Sequence, residues 1–128
     1  MSEHELLLKR GREFLEESHL ALREGRYDVA CFLAEQGAQL VLKAYLLRYV
    51  GDYPRTHDLR RLAGELLKAK SSNELKKFLK ERRISLIALE DAYLASRYFS
   101  RSYAKEDAEK LLEVAEELVG VVEREYGG

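Results

Sequence analysis

The chain has 128 residues, with one cysteine, one proline and a net charge of only -1, and each shortage narrows what it can be. Cys31 cannot close an internal disulfide and has no C-x-x-C companion for a metal or redox site, so it reads as a small core residue. The near-lack of proline leaves long helices unbroken, with Pro54 marking the clearest interruption beside Gly51 and Asp52. No stretch of about 18 apolar residues exists, because Leu40 to Leu47 is broken by Lys43 and flanked by Gln39 and Arg48; this argues against a membrane span. The opening M-S-E-H-E-L-L-L-K-R puts acidic residues before a very short apolar run, the reverse of a secretory signal, and the expected location is the cytoplasm. The histidines and the cysteine show no ligand spacing, no H-E-x-x-H or EF-hand pattern occurs, and the glycines are too dispersed to cradle a phosphate. Neither a metal nor a cofactor is expected. Glu90 and Asp91 are neighbours, about 100° apart on a helix, and so do not form a converging acid pair.

What the chain does have is helical periodicity. A first helix is predicted over about Glu3 to Arg23, with Leu7, Gly11, Phe14, Ser18 and Leu22 on one stripe and Glu24-Gly25-Arg26 ending it. The second begins near Tyr27 or Asp28 and runs to about Val50; it is apolar on more than one face, which demands partners on several sides and a central position. Thr56 is the expected N-cap of a shorter helix built on Leu59, Leu62, Ala63, Leu66 and Leu67, with Asp58 adding negative charge near its start. Ser71 to Asn73 interrupt that helix, and Leu75, Phe78 and Leu79 mark another short piece. Further helices follow over about Ile84 to Tyr98 and Lys105 to Glu125, the last repeating apolar residues at steps of three and four from Ala108 to Val122. No segment alternates at period two, so no sheet is expected. The predicted fold is all-α: an up-down four-helix bundle, residues 1–128 forming a single domain, with shorter helices inserted between the second and third long ones. Charge is segregated too, basic between Arg55 and Arg83 and acidic after Ala104, as expected of solvated helix faces or of a polyanion site.

Three polar patterns are candidates for chemistry. In S-R-Y-F-S-R-S-Y, Ser96 to Tyr103, arginines alternate with aromatics at a helix end, a combination that forks onto phosphate and stacks on bases. The competing reading is that Tyr98 and Phe99 pack the bundle end while Arg97 pairs with the last helix. Glu35, Gln36, Gln39 and Lys43 lie along the otherwise apolar second helix, either facing solvent, with Gln36 bonded to neighbouring helices, or lining a cleft with Arg97 and His57. His57 in T-H-D-L is read first as a structural residue at a helix start. Arg12 and His19, two turns apart on the first helix, are read as a coincidence of spacing.

The second-helix pattern, in which Ala34, Gln36, Leu42, Lys43 and Ala44 match A-x-Q-A-x-E-x-x-L-K-A, together with T-H-D-L-x-x-L and A-S-R-Y, resembles the HEPN family. These are small helical domains named for nucleotide binding in higher eukaryotes and prokaryotes, and the similarity runs from about Leu7 to Val122. Gly37 and Gln39 depart from the pattern. The resemblance implies that Arg97 takes the place of the arginine that HEPN ribonucleases pair with a histidine after four to six intervening residues. Here the partner position falls on Ser102, Tyr103 or Ala104, and none is histidine. Without an imidazole that position has no group titrating near neutrality, and a tyrosine with an ordinary pKa of about 10 is a poor base. The resemblance therefore implies a non-catalytic nucleotide- or RNA-binding domain, partner of a separately encoded minimal nucleotidyltransferase and a homodimer. The binding residues would be Arg97, Tyr98, Arg101, Tyr103, His57 and Lys43. The alternatives are a divergent metal-independent ribonuclease, toxin-like within a toxin-antitoxin pair, and a purely structural dimerisation module.

Overall fold

Helix ends in this chain are set by identifiable groups, and the elements follow from them. In the computed structural model, which describes residues 1–98 and 102–128 without the side chains of 96–98, the elements are α1 Glu3–Arg23, α2 Tyr27–Val50, α3 Leu59–Ala69, α4 Asn73–Glu81, α5 Arg83–Tyr98 and α6 Lys105–Tyr126. No strand occurs among the described residues. The Ser2 hydroxyl accepts from the Glu5 amide to start α1. Gly51, at φ 90°, closes α2 by donating to the carbonyls of Leu46 and Leu47, a left-handed position that a side chain would strain.

The start of α3 differs from expectation. Asp58, not Thr56, is the N-cap: its carboxylate accepts from the Arg61 amide at 3.2 Å, while the Thr56 hydroxyl accepts from the Asp58 amide at 3.1 Å. An anion at the cap also meets the positive end of the helix dipole, which a hydroxyl does not. Ser72 caps α4 by accepting from the Leu75 amide, and its own hydroxyl donates to Glu125 at 2.6 Å.

The long helices alternate in direction. Gly11 and Leu15 of α1 meet Gly37 and Val41 of α2 while Ser18 donates to the Ala30 carbonyl, so the pair is antiparallel. The rings of Phe32 and Tyr93 stack 6.4 Å apart, and α5 runs antiparallel to α2. α6 runs parallel to α2, its start tied to Asp28 through the Tyr103 amide and its end to Tyr49, whose hydroxyl donates to the Tyr126 carbonyl. α2 thus touches α1, α3, α5 and α6, which accounts for its apolar character on several faces. The shorter α3 and α4 fill the connection between α2 and α5, and α3 packs directly on α2.

The close approach of α1 and α2 depends on two glycines. A Cβ on Gly37 would lie 2.7 Å from the Leu15 side chain and 2.9 Å from the Gly11 carbonyl, and one on Gly11 would lie 2.9 Å from Val41. Much of the acidic charge on α6 is spent locally: Glu123 pairs with Arg12, Glu116 with His19 at 2.8 Å, and Glu117 with Arg82 at 2.7 Å. Arg12 and His19 therefore both fasten α1 to α6.

Candidate functional site

The polar residues of α2 form one connected row. Their spacing places Glu35, Gln39 and Lys43 four residues apart on one face. The Gln39 amide donates to one Glu35 oxygen at 2.9 Å, the Gln36 amide donates to the other at 2.7 Å, and Lys43 donates to the Gln39 carbonyl at 2.8 Å. Gln36 is therefore bonded within α2, not to a neighbouring helix as one reading of the sequence had it. Glu35 is fully buried. Burial pushes its carboxyl up to about 7, against the stabilising amides of Gln39 and Gln36 and the charge of Lys43, and the carboxylate of Glu90 pushes the same way as burial. Lys43 is pushed down by partial burial and, more weakly, by Arg55, while Glu35 opposes the shift.

The segment leaving α2 folds back beside this row. Tyr53 lies under the Lys43 ammonium, 5.1 Å from nitrogen to ring centre, a cation–π contact. Four residues on, His57 stacks on Tyr93 with centroids 4.4 Å apart and planes 13° from parallel. Its Nδ1 is buried and has no hydrogen-bond partner among the described residues, so the histidine acts as a stacking ring and not as a helix-start hydrogen bonder. On α5, Glu90 accepts from Arg60 through Nε and Nη2 and also from the Arg60 backbone amide at 3.0 Å. Glu90 was set aside in the sequence because its neighbour Asp91 points elsewhere; its real partner, Arg60, lies on α3.

Lys43, Tyr53, His57 and Tyr93 thus border a seam between α2, the 52–58 segment and α5, and Arg97 lies one helical turn beyond Tyr93 on α5. The side chains of Arg97 and Tyr98, and all of Arg101, lie outside the described residues. Tyr103 stands apart from Lys43: it is buried in the core at the start of α2, where its amide donates to Asp28 at 2.7 Å, roughly 22 Å of helix from Lys43. Tyr53, Tyr93 and Arg60 were not singled out in the sequence, and Glu90 was weighed there only as an acid pair with Asp91. For Tyr93 a signal existed, since it precedes Arg97 by one turn. For the Arg60–Glu90 pair, thirty residues apart, no local pattern exists.

A fold of this shape recurs in solved structures. The crystal structure of TT1696 from Thermus thermophilus superposes with a TM-score of 0.80 at 23% identity, covering 97% of this chain and 98% of that one. ST0689, an archaeal HEPN homologue, superposes with a TM-score of 0.72, also at 23% identity, over 98% of this chain and 99% of that one. The HEPN domain model matches residues 4–125. The chain belongs to the HEPN family. A comparison with curated proteins gives no match. Within this HEPN domain no helix among the described residues is long and apolar enough to cross a membrane. Nor do three or more His, Cys, Asp or Glu side chains converge among the described residues as a metal site would require.

Proposed function

We propose that this HEPN domain binds a nucleotide or single-stranded RNA without cleaving it, as the cytoplasmic partner of a separately encoded minimal nucleotidyltransferase. The observation that carries the reading is the seam itself: a lysine over a tyrosine ring, then a histidine stacked on a second tyrosine, leading along α5 to Arg97. Cations for phosphate and flat rings for bases are the two things single-stranded nucleic acid binders combine. Arg97 and Arg101 are assigned to phosphate, and Tyr98 to stacking. Tyr103 is buried at the head of α2.

A second reading is favoured by Glu35. A group titrating near neutrality is what the missing histidine would have supplied, and a carboxylate of that kind can take the proton from a 2′-hydroxyl as it attacks the adjacent phosphorus and the 5′-oxygen leaves. Complete burial of Glu35 keeps it from a substrate, which puts binding ahead of cleavage. The test is a titration of end-labelled RNA and labelled ATP against wild type and Arg97→Ala, without metal, resolved on native and denaturing gels. Binding weakened about tenfold or more in the variant, with intact RNA, is the expected result, as the loss of a charged hydrogen bond to phosphate predicts. Cleavage abolished by Glu35→Gln would replace this reading with the ribonuclease. Neither binding nor cleavage, with or without a nucleotidyltransferase chain, would overturn both in favour of a structural module.

A further inference from the structure

Among the described residues Lys43 is a cation without a direct counter-ion. Its ammonium donates to the Gln39 carbonyl at 2.8 Å and sits over the Tyr53 ring, and the carboxylate in its row, Glu35, is reached only through Gln39. Arg55, exposed two residues past Tyr53, is close enough for its charge to act on Lys43, and it makes no ion pair among the described residues. The acids of the same segment are taken by backbone: Asp52 accepts from the Tyr53 amide and Asp58 from the Arg61 amide. Two uncompensated cations beside a ring therefore stand at one end of the seam.

Gln39 decides how that ammonium is presented. It is buried, and its amide is fixed at both ends: Lys43 can only donate, so the carbonyl must turn towards it, which leaves the amide hydrogens for Glu35. A carboxylate in place of this amide would pair with Lys43 four residues on and cancel its charge. The amide holds the ammonium in place and leaves its charge whole, with a donor to spare. The seam is also long. The stacked rings of Phe32 and Tyr93 mark a common level of α2 and α5. Lys43 lies eleven residues beyond that level on α2, and Arg97 four residues beyond it on antiparallel α5 in the opposite direction, so roughly 22 Å of bundle separates the two. One nucleotide carries its phosphates on one side of one base. A strand carries phosphate on both sides of each base, and modules that bind single strands hold about four nucleotides or more.

We propose that Arg55 and Lys43, the latter aimed by Gln39 over Tyr53, form a phosphate subsite separate from the α5 arginines, so that the seam takes a single strand several nucleotides long and not a free nucleotide. The inference rests on the reading that the seam binds phosphates and bases, and it adds where the second phosphate sits and how far apart the two ends of the ligand must be. Gln39 touches no ligand and is a positioning residue.

The test measures binding of ATP, a uridine dinucleotide and a uridine octanucleotide to the protein over a range of salt. Wild type should hold the octanucleotide about tenfold or more tighter than the dinucleotide or ATP. Lys43→Gln and Arg55→Gln should each weaken the octanucleotide about tenfold and flatten its salt dependence by about 0.7 in the slope of log K against log salt, the signature of one lost phosphate contact. Because Arg55 is exposed, its removal leaves the core intact and keeps the test open should a buried variant fail to fold. Gln39→Met should weaken the octanucleotide in the wild-type background and add nothing in Lys43→Gln, a coupling that a merely structural glutamine would not show. Unchanged salt slopes in both cation variants, or a dinucleotide or ATP held as tightly as the octanucleotide, would overturn the subsite and leave Arg97-dependent binding standing. Binding of none of the three would overturn the proposed function and the subsite with it.

Discussion

The two sides of α2 are held by different physics. Towards α1 the contact is one of shape: Gly11 and Gly37 let the backbones meet, Leu15 and Val41 fill the space beside them, and the one polar group, Ser18, is satisfied by a backbone carbonyl. Towards α3 and α5 the contact is polar: Glu35 and Glu90, both buried, are each satisfied by dedicated partners, and His57 stacks on Tyr93 beside them. The first side is apolar and specified by volume. The second trades stability for a row of polar groups in a helix that is otherwise core, the kind of local conflict that a working site accepts.

The largest expected effect comes from breaking the charged side. Arg60→Ala strips Glu90 of its guanidinium and leaves the carboxylate in the interior; because Arg60 itself is partly exposed, we expect a loss of about 3 kcal/mol, at the lower end for a broken buried pair, read by urea denaturation. A loss under about 1 kcal/mol would mean that the pair behaves as a surface bridge.

Glu35 sharpens the same side through pH. Its carboxyl titrates higher folded than unfolded, so the folded state holds the proton more tightly. The contribution of this group is intact below about 4.5, is lost as pH rises to about 7, and is flat above that. A shift of that size corresponds to about 3 kcal/mol. Glu35→Gln loses one hydrogen bond at every pH but removes the slope, so its stability relative to wild type should rise between pH 5 and pH 8. Parallel stability–pH curves for the two proteins would show that Glu35 is ionised throughout.

The smallest effect is expected on the α1 side. Gly37→Ala forces a methyl against Leu15 and the Gly11 carbonyl, an overpacking of about 1–3 kcal/mol from which better helix propensity returns up to about 1. A net loss of about 1 kcal/mol is expected, with no change in RNA binding. A stabilised variant would show that the two helices move apart freely.

Most of the fold was legible because the signals were local. Ser2, Gly51, Pro54 and the serines near residue 72 punctuate the chain, and the apolar periods between them place every helix. The α3 cap was missed by two residues because Thr56 and Asp58 are both capping types, and only the geometry of the Arg61 amide chooses between them. The site was less legible for the opposite reason. Lys43 and His57 were visible as residues, but Tyr53 and Tyr93 become their platforms only when the chain doubles back. The Arg60–Glu90 clasp depends on a contact that no window of sequence contains. Gly37, which looked like a departure from the family pattern, is the residue that lets α1 approach.

The hairpin of α1 and α2 also differs from the rest of the molecule in how much chain must be gathered to make it. The Ser18–Ala30 bond joins residues 12 apart, whereas the Tyr49–Tyr126 bond that seats the end of α6 joins residues 77 apart. Closing the longer loop costs roughly 1.5 kcal/mol more chain entropy, before any contact along it forms. Two glycines that look like small omissions in the sequence therefore sit where the polypeptide has least freedom to surrender.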